Sequence, residues 1–326
     1  MGQMHCHSFG TLNEDPSGVS HTKQWVENVF NEYKELGYDF MTMTNYMYYN
    51  DITPNPYPND TDLIWLFNSH ESGTANGYDG MPAYHVLNWN AKKIINPTEN
   101  MGVSEYISYI TKNGVIAELA HPFWRVNDNI NTLFTKEQLL RLEKNFRYVE
   151  VYNGECILTD YWGEPYRTYG PDYALEVLAS AGHFVFGTAV SDSHQFGTEQ
   201  IPSLAHERES GNIKVFANTK TREDIIQSIL TGNYYSCEWI TARLNSITLL
   251  NNVLTIDIGD NNATTVFKGK DGIILSTVHG NIASYSINGD ECFVRAIVTL
   301  SSGYRIWTNP IYLRNVFNIS LKKEQL

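Results

Sequence analysis

A helix with one apolar stripe, running straight into a short apolar segment that ends in polar residues, occurs four times in the first two-thirds of the chain. In the first copy, "TKQWVENVFNEYKEL" over residues 22–36, Trp25, Val29, Tyr33 and Leu36 share the stripe, Val26 and Phe30 flank it, and Gly37 stops the helix. "YDFMTMTNY" follows as a strand. The second copy is "VSEYISYITKNG" with "VIAELAHP", the third "TKEQLLRLEKNF" with "RYVEVYNGE", and the fourth "DYALEVLASAG" with "HFVFGTAVSDSH". Thr135 and Gln138 open the third helix as a capping box. Helices and strands alternating at this spacing imply parallel strands joined by right-handed crossovers, closed into a barrel or left as an open sheet. "TREDIIQSILTGNYYS" adds a last helix, capped by Thr221 and ended by Gly232.

After about residue 240 the pattern changes to short alternating runs separated by Asn-Gly, Gly-Asp and Ser-Gly turns. The chain therefore divides into an α/β domain over residues 1–238 and a small all-β, sandwich-like domain over 239–326. Residues 51–91, rich in Asn, Pro, Gly and aromatics, read as an elaborated loop region of the first domain. The 326 residues, 42% hydrophobic, are enough for both. Cys6, Cys156, Cys237 and Cys292 are far apart, with no metal-knuckle or disulfide spacing. No segment reaches transmembrane length and no signal peptide precedes His5. A cytoplasmic location is the expectation, with export open if the N-terminus has been trimmed.

In parallel α/β folds the site lies at the carboxyl ends of the strands. Those ends here read "HCHS", "TNY", "AHPFW", "YNGE" and "SDSH". Alternation in a strand points His5 and His7 one way and Cys6, read as a buried small residue, the other. His5, His7, His121, Asp192 and His194 at strand ends suit a metal site, and imidazole with carboxylate but no thiolate suits manganese, iron or zinc. The net charge of −13 and the lack of a Lys/Arg run exclude a nucleic-acid surface. The expected partner is a small-molecule substrate, with no nucleic acid and no membrane; the oligomeric state is left open.

These motifs, in order "HCHS", "GYDFMTMT", a lone glutamate then "YHVLNW", "AHP", "VEVYN" and "SDSH", resemble the polymerase and histidinol phosphatase (PHP) metal-dependent hydrolases over about residues 3–236. The tail "FVRAIVTLSSGYRIWTNPIYL" is similar to the β-domain of the branch that includes the carbaryl hydrolases. The resemblance implies a distorted (βα)7 barrel. It implies two divalent ions (Mn, Fe or Zn): His5, His7, Glu71 and Asp192 on one, Glu71, His85 and His121 on the other, with Glu71 bridging. A hydroxide shared by such a pair attacks a small phosphomonoester or phosphodiester, or alternatively a carboxylic ester, amide or carbamate.

The chain departs from that family at "TMTNYMYY", where Asn45 and Tyr46 replace an aspartate and a histidine. The loop after the first motif offers Glu14 and Asp15 but no histidine before His21, so a third ion site found in some members is expected to be lost. Asp192 and His194 are then the catalytic pair, with His194 free to act as general acid towards the leaving group or to contact the substrate anion. Arg125, Tyr46, Asn45 and Asn153 are expected to meet the substrate. Tyr46, Tyr48, Tyr49, Trp89 and Trp124 are candidates for an aromatic wall. The non-enzymatic alternative is a degenerate barrel that only binds.

Overall fold

A computed structural model of the chain describes residues 1–7, 23–46, 62–74, 76–125, 133–158, 163, 166–194 and 207–313. Eight strands build the first part: β1 (Gly2–Gln3), β2 (Phe40–Met41), β3 (Ile64–Trp65), β4 (Ser69–Thr74), β5 (Tyr84–Trp89), β6 (Ile116–Leu119), β7 (Tyr148–Asn153) and β8 (Phe186–Val190). Interleaved in sequence are α1 (Lys23–Glu35), α2 (Val103–Lys112), α3 (Lys136–Leu139), α4 (Gly154–Leu158), α5 (Tyr166–Tyr169) and α6 (Tyr173–Ser180). α2 buries Val103, Tyr106, Ile107 and Ile110, the face its apolar spacing predicts. The capping box of α3 forms as expected, but the helix is shorter than its pattern. The amides of Arg141 and Leu142 bond three residues back, and this tightened turn ends the ladder.

Three strands, β3, β4 and β5, lie where the sequence reads as loop. Their buried residues include Ser69, His70, Glu71, Ser72 and Asn88, polar on both faces, so the apolar alternation that marks a strand is missing.

Strands β4 to β8 form one sheet in sequence order. β6, β7 and β8 are mutually parallel. β5 runs antiparallel to both β4 and β6, which corrects the all-parallel expectation. The link from Thr74 to Tyr84 is shorter than the crossover that parallel pairing requires. β1, β2 and β3 are parallel neighbours in a second sheet. Single parallel bridges from Tyr46 to Glu71 and from Cys6 to Ser193 join the chain just past β2 and β1 to the two edges of the first sheet. The ends of β1, β2 and β8 thereby meet beside β4.

β9 (Ser210–Val215), α7 (Arg222–Leu230) and β10 (Tyr234–Trp239) bring the chain back, β9 antiparallel to both β1 and β10. Then follow β11 (Ser246–Leu250), β12 (Val253–Asp257), β13 (Thr264–Lys268), β14 (Ile274–His279), β15 (Ile282–Ser286), β16 (Phe293–Thr299), β17 (Arg305–Thr308) and β18 (Ile311–Tyr312). The second sheet runs β14-β13-β16-β17-β10-β9-β1-β2-β3, with β18 on β16. β11, β12 and β15 form a third. Leu254, Ile256 and Ala283 of the third sheet share an apolar cluster with Phe267, Val294, Ala296, Val298 and Ile306 of the second. Hydrogen bonding runs across residues 238 and 239, where the sequence suggests a domain boundary: β10 pairs with β9 on one side and β17 on the other.

Phe293 and Trp307 leave that cluster for the core of the first part, with Val149, Val151, Leu175 and Leu178. Beside them Arg295, fully buried, reaches Asp172 and Glu176 at α6. Lys268 meets Glu176 at 2.5 Å. The four cysteines are unpaired with one another. Among the described residues no helix is long and apolar enough to cross a membrane.

Candidate metal centre

Strand alternation decides which side chains enter the centre. On β4, His70 turns outward and its ring meets the backbone of Ile95 at 3.1 and 3.2 Å. Burial lowers it to about 4, so it stays neutral. Glu71, on the opposite face, turns inward. Past β1, His5 and His7 also face inward, while Cys6 is buried on the other side against Thr42.

Four donor atoms converge there. His5 Nε2 lies 3.1 Å from His7 Nε2, 3.3 Å from Glu71 Oε2 and 2.9 Å from Asp192 Oδ1. His7 Nε2 lies 3.2 Å from Glu71 Oε2 and 3.1 Å from Asp192 Oδ1. On the other side of the same carboxylate, Glu71 Oε1 is 2.6 Å from His85 Nδ1 and 3.3 Å from His121 Nε2. Separations near 3 Å between N and O donors match the edges of a coordination polyhedron with bonds of about 2.0–2.2 Å. The buried residues therefore fit a metal ion in chemistry and in spacing, as two groups sharing Glu71.

The electrostatics of the ion-free chain point the same way. Burial pushes the Glu71 carboxyl up, but His85, His5 and His121 hold it well below the usual range. Asp192 is held down against burial by His5 and His7. Burial would lower His5, yet Asp192, Glu71 and Glu150 raise it well above an ordinary imidazole. His121 is likewise raised against burial, by its bond to Glu71 and the charges of Glu150 and Asp192. At His85 burial wins over Glu71 and the value falls. Protons thus supply, between crowded carboxylates, the positive charge that a cation would bring.

Two ligand candidates hold unusual backbone: His121 has φ 23° and Asp192 φ 54°. Each such residue costs about 1–3 kcal/mol and persists where its surroundings over-determine it. The Asp192 amide is tied to the His5 carbonyl at 2.9 Å and the His121 amide to Glu150 at 2.7 Å.

His194 stacks on His7 with ring centres 4.0 Å apart. Its Nδ1–H donates to the Asp192 carbonyl at 2.7 Å and faces Glu155 Oε2 at 2.8 Å. Burial would lower its value, but Glu155, followed by Asp192 and Glu207, raises it to about 10. Glu155, Asp192 and His194 form a third group of potential donors, in which the proton on Nδ1 leaves that nitrogen no lone pair for an ion. His85 and His194 are the open donors, with side chains 17% and 19% exposed against 5% or less for His5, His7, His121, Glu71 and Asp192. Among the described donors, the centre is open along that edge.

No family model matches the chain, and no curated protein does. Among solved structures, a match is a protein described as an inferred metal-dependent phosphoesterase from Bifidobacterium adolescentis. It is 13% identical, covers 61% of this chain and 90% of its own, and has a TM-score of 0.41.

The other expected substrate contacts sit as follows. Asn153 is buried and committed: its amide donates to Glu150 and to Asp192, each at 2.9 Å, and its oxygen accepts the Cys156 amide. A substrate contact would have to break one of these. Asn45 is also buried, and its carbonyl receives the Glu71 amide at 3.3 Å. Arg125 is partly exposed directly after Trp124. Tyr46 and Trp124 flank His85 with ring centres 4.8 and 5.0 Å away. Trp89 is not part of that wall; it is fully buried between Phe67 and Tyr148, where a large apolar ring packs best. Tyr48, Tyr49, Glu14, Asp15 and His21 lie outside the described residues.

Sequence reasoning gave no role to Glu150, Glu155 or Glu207. Glu150 carried a signal: a carboxylate inside the apolar run "YVEVYN" has to find partners when buried. Glu207 is buried, and its carboxyl is raised to about 9 by burial and then by Glu155. It stands on a short turn after the fourth helix–strand unit and had no motif to mark it.

Proposed function

We propose that the chain is a metal-dependent hydrolase of the PHP type, with a barrel and a sandwich-like C-terminal module, acting as a phosphoesterase on a small phosphomonoester or phosphodiester. The observation that carries this is Glu71: one buried carboxylate offers Oε2 to His5 and His7 and Oε1 to His85 and His121. His5, His7, Glu71 and Asp192 would hold one divalent ion, and Glu71, His85 and His121 a second, from manganese, iron or zinc. When bound, the pair would supply a water of lowered pKa and positive charge where negative charge builds on the attacked phosphorus.

The chain's own residues do the rest. Asn153 fixes the Asp192 carboxylate through its Oδ2. His194, protonated in the ion-free chain at neutral pH and partly open, meets an anionic substrate and gives its Nε2 proton to the leaving oxygen. Its Nδ1 partners, the Asp192 carbonyl and Glu155, hold the ring for that transfer. The partly exposed imidazolium of His194 beside the donors favours an anionic phosphoester over a neutral ester or carbamate.

The test is elemental mass spectrometry on gently purified protein, followed by panels of aryl phosphates and aryl esters. Two ions per chain and phosphate release support the reading. Three ions would refute the expected loss of the third site, and ester cleavage without phosphate release would move the substrate to carbonyl chemistry. Protein that stays empty after incubation with manganese, iron or zinc would leave a binding module.

A further inference from the structure

Glu150 lies beneath both donor groups and belongs to neither. Its side chain is fully buried on β7. Oε1 accepts the Nδ1–H of His5 at 2.6 Å. Oε2 accepts the backbone N–H of His121 at 2.7 Å and an Nδ2–H of Asn153 at 2.9 Å. Asn153 uses its amide again on Asp192. One carboxylate thus reaches the ends of β1 and β6 directly and the end of β8 through a single side chain.

We infer that Glu150 is a positioning residue that makes the two candidate ion groups one unit, setting the affinity of both together. The inference rests on the metal-dependent reading above. A carboxylate can only accept, so Nδ1 of His5 keeps its proton, and the nitrogen freed for an ion is Nε2, which faces Glu71 and Asp192. Partners of this kind fix ring orientation and raise ligand basicity. For the second group the restraint is on the backbone: the His121 amide, at a φ that few residues adopt, is pinned by the same carboxylate. A neutral amide at position 150 cannot serve both. Whichever donor meets its NH2 group loses its acceptor, so either His5 turns or takes its proton onto Nε2, or the His121 amide is left unpaired.

Glu118 on β6 supplies the control. It is equally buried, and it accepts the Thr188 hydroxyl. Burial, with the charge of Glu150, raises its carboxyl well above the usual range. Glu118→Gln keeps the shape of the side chain and leaves Glu150 and its three donors in place.

The full chain, stripped with a chelator, is titrated with cobalt(II), read by its visible absorption, and with zinc(II), read by calorimetry. Glu150→Gln is expected to weaken both binding steps by about 10–100-fold, with Glu118→Gln binding as wild type does. Glu150→Gln that binds both ions normally, or that loses one step alone, overturns the inference while leaving the hydrolase reading intact. Wild-type protein that takes up no ion overturns both. If Glu150→Gln does not fold, Glu150→Asp keeps the charge but is one methylene too short to reach His5 and His121 together, and the same two outcomes decide.

Discussion

Replacing Arg295 tests how the C-terminal strands are fastened to the rest of the molecule. Arg295→Met removes a guanidinium that burial pulls down to about 9, still charged at neutral pH. Glu176 keeps Lys268 at 2.5 Å, but Asp172, 3% exposed, loses its partner. Breaking a buried pair from one side costs about 3–5 kcal/mol. Against this, Nε and Nη1 of Arg295 are buried without hydrogen bonds, and removing such groups returns about 1–3 kcal/mol. The net expectation is a loss of about 2 kcal/mol, or about 4–8 °C in the thermal midpoint at about 2–4 °C per kcal/mol. Urea unfolding followed by tryptophan fluorescence, beside calorimetry, measures it. Adding Asp172→Asn to the variant should recover at least half, because the orphaned charge is then gone. A single variant as stable as wild type, or a double variant no better than the single, would refute the account of this contact as a charge-compensated pair.

Three further outcomes are expected. Glu71→Ala should lose both ions, since one side chain serves both groups; elemental mass spectrometry showing one ion retained would separate them. His194→Gln should slow an alkyl phosphate by about 10²–10⁴-fold yet barely affect p-nitrophenyl phosphate, whose leaving group needs no proton; equal losses would remove the acid role. Because His5 and His121 stand above the ordinary imidazole value of 6.5 in the ion-free chain, ions must displace protons, and apparent affinity should rise as pH climbs from 6.5 towards the raised values. For the ion-free fold the sign is opposite: the stability these imidazoliums contribute is complete below 6.5 and is lost as pH rises through their folded values. Calorimetry in buffers of different ionisation enthalpy counts the protons, and zero release would contradict both statements.

The residues on the clearest strands were legible in the sequence. His5 and His7 follow from period-two alternation, and His121 and Asp192 from their place just past apolar runs. Glu71 and His85 needed the family resemblance, because β4 and β5 carry buried polar side chains that leave no apolar signature. The choice of Glu71 over His70 is a matter of strand face, which only register reveals. The antiparallel course of β5 was hidden for the same reason: with its strands unrecognised, the short link before it could not be seen. Glu150 and Glu155 fall within the strand-end motifs "VEVYN" and "YNGE", but their partners come from three strands that meet only in the fold. The C-terminal β character was plain from its turns, whereas its pairing with β10 depends on contacts far apart in sequence.

That pairing sets what can vary. The ladder from β14 inward passes through β16, β17, β10 and β9 to β1, three residues before His5. A recombination junction at residue 239 would cut between two strands that share hydrogen bonds and would strip Phe293 and Trp307 from the core around α6. The edge strands β11, β14 and β15, whose Leu249, Leu250, Ile274 and Ile282 are exposed, are where new sequence would disturb the centre least. Substitutions in a chain built this way cost least at its rim, and β16 and β17 stand or fall with the part that carries the candidate centre rather than with the module they adjoin.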